Sequence, residues 1–160
     1  ALAMRQRLFE GDHPNVANSL NNLALLYQSQ GRYSEAEPLF QQSLVITQRL
    51  FESDHPNVAT SLSNLAGLYY YQGRYSEAEP LLQQALAMTQ RIFNDAHPNM
   101  ETSLNNLAVL YKSQGRYSEA EPLYQQALAM TQRLFKGDHP NMATSLSNLA
   151  TFLAATDRPT

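Results

Sequence analysis

The chain has no cysteine. This excludes disulfides, cysteine-ligated zinc and thiol catalysis. No apolar run approaches the roughly 18 residues of a membrane helix, and no signal-peptide pattern opens the sequence. A chain of this kind is expected in the cytoplasm, without a membrane partner. Basic residues are not in excess: 11 Lys and Arg stand against 14 Asp and Glu, for a net charge of −3. A nucleic-acid surface needs a basic stripe, so no nucleic-acid partner is expected. There is no glycine-rich phosphate loop, nucleophile elbow or HExxH helix. The expectation is a chain with no catalytic residues, no cofactor and no metal. The initiator methionine is also missing, and residue 1 falls inside a repeated unit. The 160 residues are therefore expected to be cut from a longer array, or trimmed.

What is present is repetition. Residues 103–135, SLNNLAVLYKSQGRYSEAEPLYQQALAMTQRLF, realign 42 residues upstream on 61–93, and again on 19–51. An internal period of this length fixes the architecture before any single residue is read. One domain spans 1–160: a half unit at 1–10, whole repeats at 11–52, 53–94 and 95–136, a half unit at 137–156, and a polar tail at 157–160.

Each whole repeat reads as two helices. Helix A starts at His-Pro, as in His13-Pro14, because proline suits a first turn whose N–H lacks a partner anyway. Val16, Leu20, Leu23, Ala24 and Tyr27 recur at helical spacing. Gly31, Gly73 and Gly115 can take the left-handed conformation that ends a helix. Ser34 followed by Glu37 has the pattern of a capping box opening helix B, and Pro38 then falls in its first turn. Ser76–Glu79 and Ser118–Glu121 repeat the pattern. The expected bounds are about 14–30 for helix A and 34–51 for helix B. One such hairpin cannot bury its apolar face alone, so neighbouring units must stack into a solenoid.

The pattern NLAxLYxxQGRYxEAEPLxxxAL resembles a tetratricopeptide repeat. Leu23, Ala24 and Tyr27 match its helix A signature. Ala36, Phe40 and Ser43, with Ala85 and Ala127 in the later units, match its small-large-small helix B signature. The usual period is about 34 residues. The 42-residue period here, with HPNVA ahead of helix A, resembles the kinesin light chain subclass, also found in cyanobacterial proteins. The heptad-rich coiled coil of kinesin light chains is absent from the sequence, so their functional name does not carry over. The resemblance implies an all-α, right-handed α-solenoid of helix-turn-helix hairpins. It also implies a non-enzymatic scaffold that binds a protein or peptide ligand in a concave groove lined by the A helices.

His13, His55, His97 and His139 recur once per unit. Stacked hairpins hold such residues roughly 15–20 Å apart, from helix packing distances of 8–10 Å. They cannot share one ion, whose ligands sit about 2 Å away. Their expected role is to shape the turn into helix A as its cap. Glu35 and Glu37 suit the positive end of helix B.

The differences between copies carry the functional reading. Repeats two and three differ at six of the 33 aligned positions. Leu82/Tyr124 and Ile92/Leu134 are apolar swaps on helix B. The other four, Ser63/Asn105, Gly67/Val109, Tyr70/Lys112 and Tyr71/Ser113, gather on one face of helix A, away from Leu62, Leu65, Ala66 and Tyr69. The resemblance implies that this face is the groove. It also implies that Asn22, Asn64, Asn106 and Asn148, with Asn21 and Asn105 beside them, form an amide ladder that clamps a ligand backbone. An amide can donate and accept at once. Tyr71 stands one turn after Gly67, beside a vacancy read as a candidate pocket. Tyr70, Tyr71 and Lys112 would choose the partner, with Val109 and Ser113 on the same strip. Two further readings stand beside this one. One is weak head-to-tail self-association of an otherwise monomeric chain. The other is service as the sensing arm of a larger signalling protein.

Overall fold

The computed structural model describes residues 13–51, 53–93, 96–135 and 140–156. Among these are seven α-helices and no strand: α1 (Pro14–Ser29), α2 (Tyr33–Leu50), α3 (Pro56–Tyr71), α4 (Tyr75–Ile92), α5 (Pro98–Ser113), α6 (Tyr117–Leu134) and α7 (Pro140–Thr156). The half unit expected at 1–10, His139 and the tail lie outside the described residues. The A helices are α1, α3, α5 and α7; the B helices are α2, α4 and α6.

The histidines do cap. His13, His55 and His97 sit in extended backbone just before the helix, and each accepts at Nδ1 from the N–H two residues on, at 3.1 Å. This satisfies one of the free donors of the first turn. The His55 and His97 rings also stack on Phe51 and Phe93, with centroids 3.6 and 3.5 Å apart. Each cap thereby anchors the loop that enters its helix.

The A helices end as the glycines require. Gly31, Gly73 and Gly115 have φ of 73°, 72° and 73°. The N–H of Arg32 reaches the carbonyl of Tyr27 at 2.9 Å, and that of Gly31 reaches Gln28 at 3.0 Å. This is the Schellman pair that satisfies the last carbonyls of a helix. Arg74 with Tyr69, and Arg116 with Tyr111, repeat it. Each guanidinium then lies 4.0–4.1 Å over the ring of the same tyrosine, a cation–π contact.

The capping box does not form on α2 or α6. Helices α2 and α6 start one residue earlier than expected, at Tyr33 and Tyr117, with Arg32 and Arg116 ahead of them and no side-chain cap. Gly31 turns the chain so tightly that the helix begins before Ser34 reaches the capping position. Pro38 consequently stands sixth in α2, in its second turn, and leaves the Ser34 carbonyl without its helical donor. Ser34 is exposed, so water can supply one. Glu37 is also redirected. It accepts from Tyr69 Oη at 3.2 Å and from Arg74 Nη1 at 2.8 Å, both in the next repeat. Arg74 forks in turn to Glu77 of its own repeat.

The chain forms two compact units, residues 1–88 and 89–160. In the first, α2 packs on α1, and α3 packs on α2. Val16, Ala17, Leu20 and Ile46 form a buried cluster, closed by Leu39 and Leu50. Ser43 Oγ donates to the Ala17 carbonyl at 2.9 Å. In the second, α6 packs on α5 and α7 on α6, with Ala120, Tyr124, Ala127 and Phe152 buried.

Two outcomes test this account. Gly73→Ala should cost about 1–2 kcal/mol, the penalty of a Cβ in left-handed backbone. Gly67→Ala should instead stabilise by roughly 0.5–1 kcal/mol, because it lies within α3 and a Cβ there meets no atom within 4 Å. Urea denaturation of the two variants reads both signs. The second outcome concerns acid. Hydrogen bonds from Arg74 hold the Glu77 carboxyl below its ordinary value of 4.5, as Arg32 does for Glu35. A carboxylate lowered on folding stabilises above its unfolded pKa and loses that effect as pH falls through the folded value. Arg74→Gln should therefore lower the denaturation midpoint at pH 7, and the gap should close on going well below pH 4.5.

Candidate partner-binding site

In the first unit the expected face lies on α1 and α3. Asn64 Nδ2 donates to Asn21 Oδ1 at 2.8 Å, joining the two A helices through a half-buried amide pair. Asn22 is exposed. Tyr71 is 62% exposed, and Tyr70 lies between it and Tyr75, with centroids 5.7 and 5.6 Å away. A cavity of 430 Å³ opens beside Tyr71, and its remaining wall is Leu25, Gln28, Ser29 and Tyr33. Gly67 leaves open space at its missing Cβ but is not part of that wall. Within the cavity wall, Gln28 Oε1 is shielded from solvent and accepts no hydrogen bond from the described residues.

Leu25, Gln28 and Ser29 were not singled out from the sequence, yet the signal was there. Adding 42 to each gives Gly67, Tyr70 and Tyr71, three of the four groove positions that vary between repeats two and three. The cavity is thus walled by the variable strip of repeat one, facing the last variable residue of repeat two. The invariant Tyr33 closes it.

In the second unit the strip lies on α5. Val109 and Lys112 are half-buried and Ser113 is exposed. The Ser113 hydroxyl is spent on its own helix, donating to the Val109 carbonyl at 3.0 Å. Asn106 and Asn148 are half-buried. Asn105 departs from its equivalent, Asn21. Its Nδ2 donates to Glu101 Oε1 at 3.1 Å, which leaves Oδ1 shielded and without a donor among the described residues. A carboxylate only accepts, so it fixes which end of the amide faces it. An unsatisfied buried acceptor costs about 1–3 kcal/mol.

Glu101 is the other residue that the sequence reading passed over. It stands where the other copies have Ala17, Ala59 and Ala143, two residues before the aligned stretch opens. It is 7% exposed and also accepts from Ser145 Oγ at 3.0 Å. Ser145 lies 2.9 Å from Thr131 Oγ1. The second unit therefore carries a buried polar chain, whereas at the corresponding place in the first Ala17 contributes only its backbone carbonyl.

No group of three or more metal-binding side chains occurs among the described residues, and no helix there is long and apolar enough to cross a membrane. The surface offers amide donors and acceptors, exposed aromatic rings and one ammonium.

Comparison with known proteins places the chain. The tetratricopeptide repeat family profile matches residues 1–44, 21–91 and 102–141. No curated protein sequence matches it. Among solved structures, near-identical TPR-like repeats from Podosopora anserina, described as belonging to a kinesin light chain, are 30% identical with a TM-score of 0.79. That match covers 97% of this chain and 74% of the other. BtubC (BKLC) from P. vanneervenii is 26% identical with a TM-score of 0.83, over 96% of this chain and 61% of that one. The Sgt2 TPR domain from Aspergillus fumigatus shares the fold at 18% identity and a TM-score of 0.62, over 89% of this chain and 82% of that one. Domains of this fold generally serve as scaffolds that bind protein partners. With the period, the turn and the hairpin packing in agreement, the chain belongs to the tetratricopeptide repeat family, in its kinesin light chain-like form.

Proposed function

We propose that the chain is a non-enzymatic scaffold that holds an extended peptide, or a partner helix, along the face of its A helices. The observation that carries this reading is the 430 Å³ cavity, walled by Leu25, Gln28, Ser29 and Tyr71 at positions where the repeats differ. The residues that cap and turn the helices are the same in each copy, because those tasks demand it. A cavity built from the positions free of those demands is suited to choosing a side chain. Leu25 and Tyr71 supply exposed apolar area. Aromatic anchors in such places often dominate an interface.

The asparagines have different duties in this reading. Asn22 is open to a ligand main chain, while Asn64 is already held by Asn21. On α5, Asn106 and Lys112 add an amide and a cation suited to an acidic group.

The test uses peptides selected from a random 12-residue display library on the intact chain. Tyr71→Ala combined with Leu25→Ala should weaken the selected peptides by about tenfold or more, the loss of one interface anchor. Asn22→Ala with Asn106→Ala should weaken them irrespective of sequence. Calorimetric titration reads both. Unchanged affinity in both double variants would sink the proposal.

A further inference from the structure

Glu101 is a buried carboxylate at a position where the other copies carry Ala17, Ala59 and Ala143. Its Oε1 accepts twice, from Asn105 Nδ2 of its own helix at 3.1 Å and from Ser145 Oγ of α7 at 3.0 Å. The first unit shows how an asparagine in the place of Asn105 behaves without that carboxylate. There Ala17 offers no side-chain acceptor, and Asn21 Oδ1 accepts from Asn64 Nδ2 at 2.8 Å, tying α1 to α3. Two periods further on, the same two positions hold Asn105 and Asn148. They do not repeat the pair. Asn105 Oδ1 is shielded and has no donor, and the Asn148 side chain makes no hydrogen bond, among the described residues.

The cause lies one helical turn before Asn105, where Glu101 faces it. A hydrogen bond to a carboxylate is roughly twice as strong as one between neutral groups. At 7% exposure, water competes little for it. Ser145 holds the carboxylate from α7, and itself lies 2.9 Å from Thr131 Oγ1 on α6. The Asn105 amide is therefore turned along its own helix. Its Oδ1 goes unanswered, at a cost, although α7 carries an amide at the equivalent of Asn64. The carboxylate prevails over the amide pair.

We propose that Glu101 is a positioning residue for partner binding: by holding Asn105 it keeps the Asn148 amide available to the main chain of an extended peptide. Asn64, at the equivalent place, is spent on Asn21. The inference rests on the groove reading given above and names the residue that decides which amides serve it. An amide donates and accepts at once, so Asn148 suits a peptide unit, which does the same. Glu101 is buried and acts through Asn105, without touching the ligand.

Two measurements test it, the first without a ligand. In urea denaturation, Asn21→Ala and Asn64→Ala should be coupled, the double variant losing less than the two single losses together. Asn105→Ala and Asn148→Ala should be additive in the unaltered chain. They should become coupled in a Glu101→Ala background, where Asn105 is released to close on Asn148. That background should fold, because three other copies carry alanine there and Ser145 keeps its contact with Thr131. The second measurement uses 12-residue peptides selected from a display library on the intact chain, after depletion on its Asn148→Ala variant. Glu101→Ala should weaken them about fivefold, the loss of one hydrogen bond of ordinary net strength. Glu101→Gln should bind as wild type does, since it keeps the oxygen that accepts from both Asn105 and Ser145. Adding Asn105→Ala to Glu101→Ala should restore binding. Three results would overturn the inference: additive losses in the Glu101→Ala background, no peptide that depends on Asn148, or no restoration by Asn105→Ala. Peptides from the undepleted library that still respond to Tyr71→Ala with Leu25→Ala would then leave the groove reading standing.

Discussion

The structure depends on close approach between helices at alanine. Ala24 and Ala36 in the first repeat, and Ala108, Ala120 and Ala127 in the third, have no exposed surface. A methyl group there lets one backbone lie near the next, and the larger Leu20, Phe40, Leu104 and Tyr124 fill the space on either side. Interiors are packed at crystal-like density, so a larger side chain at an alanine would force the hairpin apart at a typical cost of about 1–3 kcal/mol. The period of 42 residues is largely the record of this constraint, met again in each copy. It also leaves the outward positions of helix A free, which is why variation collects there.

Much of this could be read from the chain alone, where the signal was local. Gly31 announces a left-handed turn, and His13-Pro14 announces a helix start, because each depends only on neighbouring backbone. The capping box failed for a reason that no local pattern carries. Ser34 and Glu37 have the right spacing, but the turn at Gly31 starts the helix early, and Arg74 of the next repeat claims Glu37. The row of asparagines is visible in the sequence, but the pairing of Asn64 with Asn21 is not. Whether Asn21 meets Asn64 depends on how two helices lie side by side. Glu101 was hidden by the choice of window, since a charged residue in an alanine position is conspicuous only when the copies are aligned from their true start.

The same comparison separates two kinds of repetition. Residues that turn, cap or pack are repeated because each hairpin needs them independently. Glu101 breaks this rule at a buried place, and hydrogen bonds from Asn105 and Ser145 compensate it. Buried carboxylates survive when their lone pairs are answered in this way. Leu25 and Tyr71 depart from the repeat at exposed positions, where nothing within the fold demands compensation. A scaffold of near-identical units can thus acquire a binding preference without disturbing the frame that presents it.

The turn at Gln30, Gly31 and Arg32 also bears on how the chain folds. It joins α1 to α2 through three residues, so the contacts between these helices close over a short stretch of chain. The entropy lost on closing a loop grows with its length, and a hairpin this tight loses little. Low sequence separation between partners favours rapid folding. Because the later copies carry the same turn, no hairpin is marked out as the place to begin. Nucleation is spread along the chain and growth passes from neighbour to neighbour. Near-identical units thus give this protein many equivalent starting points for folding.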